Sequence, residues 1–134
     1  IYAVGECVQH RGALFGLVAP LYEQAKVCAN HLAGMGIGRF VQKPTATTLK
    51  VSGVELFSAG DFNHAEAETL FFRDPQRGVY KKLCLHEGRL VGAVLYGDAQ
   101  DGAWYFDLIR SASDVSGWRD QLMFGKVVED AVAA

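Results

Sequence analysis

The apolar positions along this chain change period once, and the change divides the chain. Ile1-Tyr2-Ala3-Val4 is a short apolar, partly β-branched run that stops at Gly5-Glu6, the pattern of a buried strand arriving at a loop. From Leu17 the apolar residues recur at spacings of four and three through Leu21, Ala25, Cys28 and Leu32, one stripe of a helix. Glu23, Gln24, Lys26 and Asn30 fall mostly to the other side. Proline lacks the N–H that a first helical turn leaves unpaired, so Pro20 puts the helix start near Val18 or Ala19. Gly34, Gly36 and Gly38 allow the left-handed backbone that ends a helix, and they lead into an irregular stretch, residues 39 to 48, that contains Pro44.

Beyond that stretch the period becomes that of strands, expected at 49–51 with 54–57, at 69–73, at 79–86 and at 90–96. Asp74-Pro75-Gln76-Arg77-Gly78 supplies a proline where φ near −65° is wanted and a glycine where φ is free to be positive, and Glu87-Gly88 supplies a tight hairpin turn. The expectation is an antiparallel meander of about three strands. After Asp101-Gly102, the run 103–112 sets Trp104, Leu108 and Ile109 at helical spacing, and Asp114 is suited to cap a second short helix bearing Val115, Trp118 and Leu122. Strands first and helices afterwards predict a small α+β unit, its helices covering one face of the sheet.

Half of the 134 residues are apolar, enough for one modest core and too many for a disordered chain. A net charge of −2 with acids and bases interspersed argues against nucleic acid and against a membrane surface as partners. No apolar run approaches the roughly 20 residues that span a bilayer, and no secretory n-region or h-region opens the sequence. The apolar start at Ile1, without an initiator Met, is the pattern of a sequence entered in mid-strand. Cys7, Cys28 and Cys84 are odd in number and far apart, so the expectation is reduced, buried thiols in a cytoplasmic protein, with neither a disulfide framework nor a CxxC site.

Chemistry enters at the first loop. The pair Gly5-Glu6 closes the first strand-like run, a residue without a Cβ beside a hydrogen-bond acceptor. The helix beyond the loop points its unpaired N–H groups and positive dipole end outward at Leu17 and Val18. A Gly-Glu pair is also an ordinary turn. Downstream, Asp61, His64, Glu66 and Glu68 form a polar run that reads as a solvated loop or a turn capped by Asp61. His10, beside Arg11, is the histidine placed nearest the Gly5 loop; His31, His64 and His86 are assigned no chemistry.

The run Ala3-Val4-Gly5-Glu6-Cys7-Val8-Gln9-His10-Arg11-Gly12, then Gly16-Leu17-Val18-Ala19-Pro20-Leu21-Tyr22-Glu23-Gln24-Ala25, resembles the second flavin-binding motif of two-dinucleotide-domain reductases. Its form is most similar to that of the large subunits of NAD(P)H-dependent nitrite reductases, as are Leu56-Phe57-Ser58-Ala59-Gly60-Asp61-Phe62 and the segment Ala103-Trp104-Tyr105-Phe106-Asp107-Leu108-Ile109-Arg110. The resemblance covers nearly the whole chain. It departs from the commoner motif in one residue, Glu6 where Asp is usual.

That resemblance implies a flavoprotein oxidoreductase of which this chain is a piece. Residues 1–42 would finish an FAD-binding, Rossmann-like domain with a strand and a helix, residues 45–126 would form the reductase carboxy-terminal α+β domain, and 127–134 a tail. Gly5, Glu6, Leu17 and Val18 would contact FAD, whose site is only partly present. The parent would carry electrons from NAD(P)H through FAD to an iron–sulfur cluster and sirohaem, reducing nitrite to ammonium in nitrate assimilation. The sites for NAD(P)H, cluster and sirohaem would lie in upstream and downstream domains, because no strand here leads into GxGxxG; Gly34-Met35-Gly36-Ile37-Gly38 follows a helix and its third glycine comes one residue early. No catalytic residue and no metal ligand is assigned within this chain, which by itself is expected to be inactive and to self-associate. The competing reading is a carboxy-terminal interaction or dimerisation domain of another FAD-dependent NAD(P)H oxidoreductase, such as a rubredoxin reductase.

Overall fold

A computed structural model of the chain describes residues 1–126. The expected tail, 127–134, lies outside the described residues. The chain divides into two compact units, one of residues Ile1–Lys43 and one beginning at Pro44.

In the first unit, residues 1–4 have no β-ladder partner, where a strand was expected. A strand is defined by its neighbour, and among the described residues none pairs with this segment. The chain turns at Gly5, with the Val8 N–H donating to the Gly5 carbonyl at 3.1 Å, and His10 and Ala13 then close a small antiparallel bridge. Helix α1 runs Val18–Leu32 with Pro20 in its first turn. Its end is fixed by paired backbone bonds, Met35 N–H to Asn30 O at 2.9 Å and Gly34 N–H to His31 O at 3.1 Å, with Gly34 at φ +67° supplying the left-handed residue the motif needs.

The helix stripe differs from the one read in the sequence. Leu17 and Leu32 at its ends are exposed, and the residue of α1 that is buried is Gln24. Leu21, Ala25 and Cys28 of the expected stripe are half-buried, but Gln24, an amide the stripe puts toward solvent, is the residue that sits inside, with Val27 half-buried three residues on. Phe15 is buried as well, its ring edge-on to Phe40 at 5.4 Å between centroids.

The second unit holds five antiparallel strands, β1 (Ala46–Val51), β2 (Val54–Gly60), β3 (Glu68–Asp74), β4 (Val79–His86) and β5 (Arg89–Tyr96), in the spatial order β1-β2-β5-β4-β3. The expected three-strand meander is β3-β4-β5; the hairpin β1-β2 joins its far edge through β2 and β5, a pairing that local alternation does not encode. Both tight hairpins turn on an L-residue followed by glycine with positive φ at each, Ser52-Gly53 and Glu87-Gly88.

Register builds the core. Phe57, Leu95 and Lys81 lie across one row of β2, β5 and β4, and Ala59, Ala93 and Leu83 across the next. Helix α2 (Gly102–Ser111) packs on β5 and β2, adding Tyr105, Leu108 and Ile109 to that cluster. The last element, Ser116–Phe124, is a 3-10 helix broken at Trp118 and not an α-helix. Asp114 still organises its start, its Oδ1 accepting the Ser116 N–H at 2.9 Å. The Tyr105 hydroxyl donates to the Leu122 carbonyl at 2.6 Å, tying α2 to that final segment. Gly92 is required by close packing: a Cβ there would lie 2.5 Å from the Phe62 nitrogen, where the loop after β2 crosses β5.

Candidate functional site

The residues proposed from sequence all fall in the first unit, and each has a definite backbone role. Gly5 sits at φ +110°, a conformation that L side chains rarely adopt, and a Cβ built there would meet nothing within 4 Å. Its glycine is thus demanded by the turn, and the space beside it is open. Glu6 is exposed in that turn and accepts no hydrogen bond from the described residues. Leu17 is the N-cap of α1 with extended backbone, φ −105° and ψ 140°, and Val18 is the first helical residue. No side chain caps this end, no acid stands in its first turn, and both Leu17 and Val18 are exposed.

Chemically, these positions offer a carboxylate acceptor on a glycine turn and, separately, uncapped N–H donors at a positive helix end. No hydrogen bond between described residues joins the two. That combination fits a ligand with hydroxyl donors at one part and carbonyl or developing negative charge at another. His10 lies on the intervening loop, half-buried, its ring edge-on to Phe40 at 5.3 Å. At the other end of α1 the Tyr2 hydroxyl and His31 Nε2 are 3.1 Å apart, pinning residue 2 to the last helical turn.

In the second unit the polar run at 61–68 does not converge. Asp61 Oδ1 accepts the Asn63 N–H at 3.2 Å, and His64 Nδ1 accepts that of Glu66 at 3.3 Å. Glu68 turns away to Arg119, whose guanidinium also meets Asp120. Hydrogen bonding to Arg119 holds the Glu68 carboxyl below its usual range despite a small opposing cost of burial. Among the described residues no group of three or more His, Cys, Asp or Glu side chains is arranged to hold a metal ion. Two pairs escaped the sequence reading. His64 and His86 bring their rings to 4.5 Å, and Lys81, almost fully buried, forms an ion pair with Asp98 at 2.8 Å. Their separations of 22 and 17 residues become contacts only through the sheet register. All three cysteines are free, but Cys7 is exposed and Cys28 half-buried, so only Cys84 meets the expectation of burial. Cys7 belongs to the open turn and not to a packed element.

The profile of the rubredoxin NAD+ reductase C-terminal domain family matches residues 45–113, more than half of the chain. The chain belongs to this family. Among curated relatives, it is 51% identical over 117 residues to the nitrite reductase [NAD(P)H] of Bacillus subtilis, a match covering 87% of this chain and 14% of that protein. It is 38% identical to the assimilatory nitrate reductase electron transfer subunit of the same organism, covering 92% and 16%, and 33% identical to the nitrite reductase (NADH) large subunit of Escherichia coli, covering 92% and 15%. The rubredoxin reductase C-terminal fold is seen again in the crystal structure of NADH:rubredoxin oxidoreductase from Clostridium acetobutylicum, with a TM-score of 0.61 at 23% identity, covering 84% of this chain and 29% of that one. This member of the family therefore spans roughly one seventh of the length of the relatives it matches. Among its described residues no helix is long and apolar enough to cross a membrane.

Proposed function

We propose that this chain is a segment of the large subunit of an NAD(P)H-dependent nitrite reductase, a cytoplasmic flavoprotein in nitrate assimilation. The observation that carries the reading is the 117-residue match to the Bacillus subtilis nitrite reductase at 51% identity. It is longer than the whole second unit, so it extends into the first. In this reading residues 1–42 complete an FAD-binding domain and 45–126 form the reductase C-terminal domain. FAD supplies hydride acceptance from NAD(P)H and electron release toward an iron–sulfur cluster and sirohaem held by other domains of the parent.

The residues fit the flavin. The Glu6 carboxyl, without an internal partner, is available to orient a ribityl hydroxyl; Gly5 leaves room for the cofactor to approach. The uncapped N–H groups at Val18 and Ala19 place positive potential where a flavin gathers negative charge on reduction. Pro20 contributes no donor, so these two carry that role.

The test uses the intact parent protein. Its absorbance spectrum is expected to show flavin and sirohaem bands that bleach with NADH and recover with nitrite. Glu6→Gln is expected to weaken FAD retention by about tenfold, the loss of one charge-assisted hydrogen bond. Flavin without sirohaem would transfer the chain to a rubredoxin-reductase-like enzyme, and a parent without flavin would refute the roles of Gly5 and Glu6.

A further inference from the structure

The five-stranded sheet of the second unit has its helices on one face, packed through Phe57, Ala59, Leu83, Ala93 and Leu95. Register fixes what the other face carries, because directly opposed residues share a face and successive residues of a strand alternate between faces. Leu49, Leu56, Tyr96, Tyr80 and Arg73 form one row straight across β1, β2, β5, β4 and β3, none of them in the buried cluster. Val94, Lys82 and Phe71 follow in the row beside it. At one end the loop after β2 lies across this face, with Lys82 and Cys84 donating to the Phe62 carbonyl at 2.8 and 3.4 Å. The remainder is open: Phe71 is 71% exposed, Leu49 43% and Tyr96 42%, and Leu56, Tyr80 and Val94 are half-buried. The strand residues of this face include no Asp or Glu. Its cations are Lys82 and Arg73, and Arg73 is exposed, with no hydrogen-bond or ion-pair partner among the described residues.

An antiparallel sheet with one face in water places polar residues there. This one places aromatic and aliphatic side chains in register across the strands, a contiguous apolar patch of the kind that marks a contact surface. Its cations decide between occupants. A second copy seated face to face would set Arg73 and Lys82 against a surface whose only charges are the same cations, so the face is not self-complementary. An apolar surface bearing a carboxylate is complementary, because the planar N–H fork of a guanidinium suits that group. The chain spans roughly one seventh of the length of the relatives it matches, and a tethered domain docks at a far higher effective concentration than a separate protein. We propose that this sheet face docks another domain of the parent, one presenting an apolar patch with a carboxylate against Arg73. The proposal rests on reading the chain as a segment of a longer reductase.

The experiment uses the intact parent carrying Arg73→Lys, treated with a zero-length carbodiimide that joins an amine to a carboxylate in contact with it. Equal amounts of ¹⁴N- and ¹⁵N-labelled protein are mixed before coupling. The expected product is a crosslink from position 73 to an Asp or Glu outside residues 1–134, with both joined peptides carrying the same isotope. Hydroxyl-radical footprinting of the wild-type protein gives a second readout. Tyr96 and Phe71 should react at least about fivefold more slowly in the intact parent than in the 134-residue chain, because the core of an interface packs as tightly as a protein interior. Arg73→Glu should return both toward the rate of the chain, since it sets a carboxylate against a carboxylate. Crosslinks of mixed isotope would put a second copy in place of the tethered domain and overturn the proposal. Coupling to a carboxylate within residues 1–134, no coupling at position 73, or equal oxidation in parent and chain would overturn it as well. Neither readout depends on a bound cofactor, so failure here is distinct from failure of the absorbance test.

Discussion

The two units of this chain solve the problem of apolar surface differently. In the second, Phe57, Leu83, Leu90, Leu95, Tyr105, Val115 and Leu122 belong to a continuous buried cluster made by a five-stranded sheet and the helices laid on it. In the first, Phe15 and Gln24 are buried, while Ile1, Leu14, Val18, Tyr22, Leu32 and Ile37 all face outward. Most helical stability in proteins comes from what covers the apolar face, and α1 has little of its own to cover it. A family domain and its upstream neighbour need not be equally self-sufficient. A register-built sheet closes its own core, whereas α1 leaves the apolar residues at both its ends exposed.

The sharpest way to break that comparison is to cut equal volumes from the two units. Leu83 is fully buried at the centre of β4, so Leu83→Ala should cost about 3 kcal/mol through lost burial and the cavity left behind. Leu14 is 75% exposed, and Leu14→Ala should change stability by less than about 0.5 kcal/mol. Urea unfolding followed by tryptophan fluorescence reads the first of these directly, because both tryptophans, Trp104 and Trp118, lie in the second unit and pack on its core. Circular dichroism of the helix signal reads the second. Equal effects at the two positions would mean that the second unit lacks the independent core described for it.

A smaller effect tests how that core is held together at its helical layer. The Tyr105 hydroxyl is buried and donates to the Leu122 carbonyl, and burial, with Asp101 and Asp98 nearby, drives its pKa well above the ordinary tyrosine value. Tyr105→Phe leaves the ring in place and the Leu122 carbonyl with the Gly125 N–H as its remaining donor, an expected loss of about 1 kcal/mol by the same fluorescence assay. If the loss is negligible, the final 3-10 segment is not anchored through this bond.

How much of this was legible beforehand depended on whether the signal was local. The helix start at Pro20, its glycine end, the Glu87-Gly88 hairpin and the strand-then-helix order each reside in a few consecutive residues, and each was read from the sequence. The pairing of β2 with β5 was not, because nothing in Val54–Gly60 names its neighbour. Gln24 was misassigned for a related reason. Periodicity sorts residues by polarity, and an amide that turns inward toward a cavity looks like any solvent-facing amide until the loop at 8–11 is placed against it. The roles proposed for Gly5 and Glu6 come from motif resemblance, since a glycine followed by an acid specifies only a turn. The Lys81–Asp98 and His64–His86 contacts had no local signal at all.

The Lys81–Asp98 pair offers the finest test of the second unit, because it buries a charge that the rest of the core does not need. Lys81 sits in the row between Leu95 and Phe72 and is 7% exposed, with Asp98 at its end. The hydrogen bond from Lys81, with its charge and a backbone bond from Gln100, holds the Asp98 carboxyl below the usual range against the opposing cost of partial burial. A carboxyl whose pKa is lower folded than unfolded stabilises the fold above its unfolded value and loses that contribution as pH falls through the folded one. The wild-type chain should therefore lose part of its stability below about pH 4. Asp98→Asn should remove that part of the acid limb and, near neutrality, cost about 1 kcal/mol by leaving a buried ammonium with a weaker partner, the partly exposed acid tempering the usual penalty. Glu68→Gln is the matched control: its carboxyl is also lowered, but the Glu68–Arg119 pair is solvent-exposed, and the unfolding midpoint at neutral pH should stay where it is. Urea midpoints measured from pH 7 down to pH 3 separate the two. An acid limb unchanged by Asp98→Asn would move the pH sensitivity away from the buried pair and to the surface acids.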